Sequence, residues 1–276
     1  GKEALARFQE SYLLQHYESK PTPAEVTAEG YRIMKDYLGE GGAEVLEHPT
    51  FRLSFFAVRG RGIVASEKKG ALLAGLAAAA AMNAFCRKSQ GLFWERTLFY
   101  DGRDIPPFCG MDNFPTARVP LSAANIKKAV MASGAIPLVM SGITAIDGAP
   151  AGLYRDGGLI DYNMDVPTGL SEGIALLPHY SHRIIPGWFD KRITWRKPHR
   201  EFMDRVLLVA PSPEFIARLP HGKIPDREDF MRFFQRDDER LSYWRTVLAE
   251  SGRLAEEFAE AARTGRIGAL VRPLFE

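Results

Sequence analysis

The chain has 276 residues, of which 46% are hydrophobic and 25% charged, and a formal net charge of +2. That length holds one large α/β domain, or one domain with an appendage, and the composition is that of a globular chain. The small net charge gives no warrant for nucleic acid as a partner. Cys86 and Cys109 lie far apart without a CxxC pair, so there is no basis for a disulfide framework, and a reducing compartment is the default.

Taken in chain order, residues 2–17 carry Leu5, Phe8, Tyr12 and Leu13 at helical spacing. A second helix begins at Thr22-Pro23-Ala24-Glu25, where Thr22 caps, Pro23 suits the first helical position and Glu25 completes a capping box. It should stop after Leu38, at Gly39, Gly41 and Gly42. Phe51 to Val58 reads as a strand. The apolar run Ala71–Met82 is too short for a membrane span, which needs about 20 residues. It reads instead as part of a helix over Lys68–Arg87 buried in the interior. Leu92–Tyr100 is a second strand and 101–120 a loop. Ser122 is placed to cap a helix over Ala123–Ala132. Ala151–Tyr154, Gly173–Leu177 and Val206–Ala210 are short strands. From Pro211 onward the chain is helical and charged, with Phe230, Phe233 and Phe234, then Leu241, Trp244 and Leu248, at packing intervals that suit a core face, a dimer contact or a docking face. Strand-then-helix order implies a mostly parallel sheet covered by helices. The expected division is an α/β domain over 1–210 and a helical C-terminal extension over 211–276.

Two stretches carry chemistry. One is Ala129-Val130-Met131-Ala132-Ser133-Gly134-Ala135-Ile136-Pro137, and the other, some twenty residues on, is Tyr154-Arg155-Asp156-Gly157-Gly158. A helix ending in small residues and a proline, followed by a strand delivering Asp-Gly-Gly, resembles the patatin-like phospholipases over roughly residues 1–200. The segment Leu177-Pro178-His179-Tyr180 with Pro186-Gly187-Trp188-Phe189-Asp190-Lys191 is similar to a bacterial branch of that family. The resemblance implies a three-layer α/β/α fold, hydrolysis of lipid esters, no metal or organic cofactor, and Asp156 as the base of a Ser–Asp dyad. A serine hydroxyl needs such a base to take its proton. Gly157 and Gly158 would shape the turn and let backbone pass close to serine and substrate. The rival reading of Asp156 is a plain turn, because Asp-Gly favours tight hairpins.

The family's nucleophile, a serine in a Gly-x-Ser-x-Gly elbow between strand and helix, has no counterpart near the start of this chain. The glycines of Leu38–Ala43 follow a helix and read as its stop. The one formal match, Gly169-Leu170-Ser171-Glu172-Gly173, lacks an apolar strand before it and a helix after it, and Glu172 would oppose a developing oxyanion. Ser171 is therefore a weak nucleophile candidate, and the order of the family's motifs places the serine upstream of Gly1. The alternative to an enzyme is a catalytically incomplete scaffold that binds lipid or a partner protein. His179 and His182 stand three apart beside Pro178 with no third ligand suggested, so no metal is expected. Neither cysteine has a thiolate-stabilising setting. Over 182–205, Arg183, Trp188, Phe189, Lys191, Arg192, Trp195, Arg196, Lys197 and Arg200 mix aromatics and bases. This suits a lipid headgroup interface and equally a solvated surface whose aromatics pack inward. Asp190, Glu201 and Asp204 interrupt the patch against nucleic acid. A cytoplasmic or peripheral membrane setting, with a homo-oligomer open, completes the expectations.

Overall fold

The computed structural model describes residues 2–39, 42–111 and 113–275; Gly41, expected to help stop the second helix, lies outside them. Among the described residues the helices are α1 (Lys2–Leu13), α2 (Pro23–Leu38), α3 (Ala43–Leu46), α4 (Lys69–Phe85), α5 (Gln90–Phe93), α6 (Ile126–Ser133), α7 (Arg200–Met203), α8 (Pro213–Arg218), α9 (Asp229–Arg232), α10 (Asp237–Arg263) and α11 (Ile267–Leu270). The strands are β1 (Ser54–Gly60), β2 (Trp94–Tyr100), β3 (Thr116–Pro120), β4 (Tyr154–Asp156), β5 (Ala175–Pro178) and β6 (Val206–Val209). No helix among the described residues is long and apolar enough to cross a membrane.

The chain forms two compact units. The first takes in 1–12, 21–173 and 184–205 and holds a four-stranded sheet in the order β3-β2-β1-β4. The sheet is mixed, where the sequence reading has it mostly parallel: β1 pairs antiparallel with β2 and with β4, and only β2 and β3 run parallel. The cause is the excursion through α4 and α5, which leaves and returns at the same end of the strand pair. Gly60 faces Trp94 in register, and the Arg61 amide donates to the Phe93 carbonyl at 2.8 Å. A connection that closes on its own starting point gives an antiparallel neighbour. A parallel neighbour needs one that crosses the length of the strand. β3 lies inside the stretch read as a loop over 101–120; its Thr-Ala-Arg-Val-Pro lacks a clean apolar alternation.

Apolar residues of the sheet feed two clusters. Ala57 and Phe99 pack with Met34 of α2 and with Ile126, Ala129 and Ala132 of α6. Val58 and Trp94 pack with Leu72 and Leu76 of α4. Because side chains alternate along a strand, Ala57 and Val58 point to opposite faces of the sheet, one into each cluster. At α2 the sequence and structure agree closely. Thr22 Oγ1 accepts from the Glu25 amide at 3.3 Å, Glu25 Oε2 accepts from the Thr22 amide at 2.7 Å, and Gly39 follows the last turn at φ 65°.

Two expectations are corrected here. α4 is not buried all round: Leu72, Gly75, Leu76, Ala79 and Asn83 are buried, while Leu73, Met82 and Phe85 are exposed. A helix lying on one face of a sheet covers only the stripe turned towards it. And α6 starts at Ile126 rather than Ala123. Its N-cap position is Asn125, whose side chain makes no capping bond. Instead Asn125 Nδ2 donates to the Pro120 and Asp147 carbonyls at 3.0 and 3.1 Å, and Oδ1 accepts from the Ser122 amide at 2.9 Å. Asn125 serves as a tie between loops, and the cap is given up.

The second unit takes in 13–20, 174–183 and 206–276. Besides the helical tail it holds a two-stranded parallel sheet, β5 with β6, so two earlier segments join the extension expected from 211. Its buried stripe on α10 is Arg240, Tyr243, Trp244 and Val247, whereas Leu248, read as part of the core face, is exposed.

Candidate functional site

Asp156 ends β4, an edge strand held on β1 through Ala57, Val58 and Arg59. Its amide donates to the Ala135 carbonyl at 3.1 Å. The two stretches that carry the family resemblance are therefore joined directly: the small-residue stop after α6 receives the backbone of the Asp-Gly-Gly turn. Asp156 is half-buried, and its Oδ1 accepts from the Gly158 amide at 2.7 Å. A short 3-10 turn follows over Gly157–Leu159, and the Gly157 carbonyl accepts from the Ile160 and Asp161 amides.

The glycines have a structural role that the sequence reading assigned elsewhere. A Cβ on Gly157 would stand 2.2 Å from the Phe56 carbonyl oxygen. The close approach Gly157 permits within the fold is to the backbone of β1. A Cβ on Gly158 would lie 3.0 Å from Asp156 Oδ1 and 3.1 Å from the Tyr162 ring, so Gly158 keeps room for the carboxylate it bonds. Lys191 Nζ sits 4.3 Å from the centroid of that Tyr162 ring, a cation–π contact that places a base close to the turn.

Behind the turn stands a set of charged groups that sequence reasoning missed. Arg96 and Asp161 form a two-pronged ion pair, Nε to Oδ2 and Nη2 to Oδ1, both at 2.7 Å, with each side chain fully buried. The guanidinium lies against the Phe56 and Phe114 rings, and Nη1 donates to Asn113 Oδ1 at 2.8 Å. Further along, buried Asp190 accepts from Asn83 Nδ2 and Arg196 Nη1, each at 2.6 Å, with Arg87 Nε at 3.4 Å. Arg87 also donates to the Ile160 carbonyl at 2.6 Å. Burial pulls the Arg87 guanidinium below its usual pKa, while the charges of Asp161, Asp190 and Asp165 hold it up. The only sequence signal for this network is weak: charged residues set inside apolar runs, such as Arg96 within Trp94–Tyr100. A strand of this composition reads as half-exposed, yet β2 is buried over nearly its whole length, and the ion pair is what makes that burial tolerable.

Ser171 is not brought to a strand-to-helix elbow. It sits in an exposed bend that leads into β5. Pairing of Ala175 and Leu177 with Val206 and Leu208 confirms that the residues after the motif form a strand. His179 is engaged locally, its Nδ1 accepting from the Ser181 amide at 3.1 Å, and His182 is exposed. Among the described residues no group of three or more His, Cys, Asp or Glu side chains is placed to hold a metal ion. Chemically, the arrangement offers a rigidly seated, half-buried carboxylate, able to take a proton from a hydroxyl brought within hydrogen-bond reach. Comparison with protein-family models, with curated proteins and with solved structures finds no match to this chain.

Proposed function

We propose that this chain carries the carboxylate half of a Ser–Asp dyad in a lipid acyl hydrolase, on a three-layer α/β/α scaffold of patatin-like type. The observation that supports this reading best is the backbone bond from Asp156 to Ala135. It seats the Asp-Gly-Gly turn against the end of α6 and so ties together the two stretches on which the resemblance rests. Asp156 acts as general base towards a serine, an acyl-enzyme forms and water releases it, with no cofactor. Ser171, on its exposed bend, is a poor candidate for that serine.

A second reading is a scaffold that binds lipid or a partner protein without turnover. The Oδ1 bond to the Gly158 amide favours it, since an Asp that closes its own turn has a sufficient structural reason to be there. Two experiments separate the readings. Asp156→Asn should leave thermal unfolding nearly unchanged but lower hydrolysis of a short-chain ester by the full-length protein on the order of 10²–10⁴-fold; an unaltered rate leaves Asp156 a turn residue. Fluorophosphonate labelling of the chain itself, followed by peptide mapping, should give no adduct on Ser171. An adduct there makes that serine the nucleophile.

A further inference from the structure

Two segments distant in sequence meet at the C-terminal end of α4. Arg196 Nη2 donates to the Asn83 carbonyl at 2.9 Å, and Arg196 Nη1 and Asn83 Nδ2 share the buried Asp190. Trp195 is the residue beside this anchor, and Phe85 lies two residues past Asn83. Phe85 and Trp195 therefore sit on the two segments that this bond joins in the first unit. Phe85 is 92% exposed and Trp195 74% exposed. Met82 and Leu92, on and just beyond the same helix, are exposed as well.

The two segments that meet here carry one sign of exposed charge. From Lys68 to Trp94 the chain holds no acidic residue, and from Arg183 to Arg200 the one acid is Asp190, which is buried and occupied by its arginines. Lys88, Arg192 and Lys197 are exposed. We propose that the Phe85–Trp195 surface, ringed by Lys88, Arg192 and Lys197, docks the protein onto an anionic lipid bilayer. Aromatic side chains settle at the headgroup level while the bases meet lipid phosphates and carboxylates. A second copy of the chain is disfavoured, because a two-fold contact would bring the same basic rim against itself. At such exposure the two aromatic rings protrude instead of lining a groove. Protrusion suits insertion into a fluid interface better than seating on a rigid protein. The surface stands whatever the role of Asp156.

Trp195 supplies its own probe. Trp94 and Trp244 are buried and Trp188 is partly buried against a core cluster, whereas Trp195 is exposed, so a change in indole emission on binding reports Trp195 first. The test adds the chain to phosphatidylcholine vesicles with and without phosphatidylserine, and follows co-sedimentation and tryptophan fluorescence. Expected are binding that requires phosphatidylserine, a blue shift absent from Trp195→Phe, and affinity lowered by about tenfold or more in Phe85→Ser. The paired substitution Lys88→Gln with Lys197→Gln should lower it by a similar factor. All four positions are exposed, so the variants should unfold at the parent temperature. No binding to anionic vesicles overturns the proposal, as does binding that these variants leave unchanged. A dimer in light scattering that Phe85→Ser dissociates overturns it too, in favour of a second copy.

Discussion

Gly157 lies so close to β1 that a methyl group on its Cα would stand 2.2 Å from the Phe56 carbonyl oxygen. Neither partner is a flexible side-chain end; Phe56 is backbone of the paired strand β1 and Gly157 is backbone of the 3-10 turn after β4, so the contact cannot be relieved by a rotamer change. Gly157→Ala must push β4 away from β1 or distort the turn that carries Asp156. The expected cost is about 3 kcal/mol or more, at the upper end for overpacked sites. Gly158→Ala meets the Asp156 carboxylate and the Tyr162 ring at 3.0–3.1 Å and should cost about 1 kcal/mol. Urea unfolding of the two variants checks the order. If Gly157→Ala is the milder, the close packing against β1 does not hold.

The Arg96–Asp161 pair fixes the far side of the same turn, because the Asp161 amide donates to the Gly157 carbonyl at 2.9 Å. Removing one partner leaves a buried charge unpaired, which is expected to cost about 3–5 kcal/mol. Replacing both by apolar groups should cost less than either single change. Chemical denaturation of Arg96→Met, Asp161→Leu and the double variant forms a cycle; simple additivity of the single costs would show that the two side chains act independently.

Much of the first unit was legible in the sequence because local signals and tertiary structure agree there. The Thr22–Glu25 box, the β1 and β2 runs and the Asp-Gly-Gly turn each announce themselves within a few residues. What was not legible depends on partners far along the chain. The direction of β2 is set by how the Arg61–Phe93 excursion closes, which no strand pattern encodes. β3 is a strand because the buried edge of β2 offers it hydrogen bonds, while its own residues lack alternation. The exposure of α4 is invisible in a run of alanine and leucine, since apolar periodicity has no contrast when every position is apolar. Nothing local in the sequence pairs Arg96 with Asp161 or Asp190 with Arg196; the fold does. The joining of Ala135 to Asp156 lies between these cases: both stretches stand out in the sequence, and only the fold supplies the bond between them.

Asp101 gives a prediction about pH. It follows β2, and its carboxylate is held by the Arg103 side chain, chiefly through hydrogen bonds, which takes its pKa from 3.8 down to about 2. A carboxyl whose folded pKa is depressed stabilises the fold above its unfolded value and loses that contribution as pH falls through the folded one. Stability should therefore drop between about pH 4 and pH 2 partly through this group. Asp101→Asn should lower stability at neutral pH and flatten the acid limb of the profile. Arg103 is partly exposed, so added salt should shrink the effect. An acid limb identical in the variant would show that other carboxyls carry it.

In the second unit the corresponding tie is Arg240. It is fully buried, stacked over the Phe230 and Trp244 rings, and donates to the Leu13 and Gln15 carbonyls at 3.0 and 2.6 Å and to Asp237 Oδ1 at 3.0 Å. One planar group thus bonds two carbonyls of the 13–20 segment and one carboxylate of its own helix. Arg240→Met keeps the length and the apolar stem but takes the donor from all three acceptors. Leaving buried carbonyls without their donor costs about 1–3 kcal/mol each when no water replaces it, so the variant should lose about 2–4 kcal/mol in denaturant unfolding. Arg240→Lys should recover only part of this, because a single ammonium lacks the fork geometry that reaches separate acceptors. Limited proteolysis locates the damage: cleavage should rise first within residues 13–20, at Lys20. If cleavage instead rises evenly along α10, the arginine supports its own helix and not the segment it bonds.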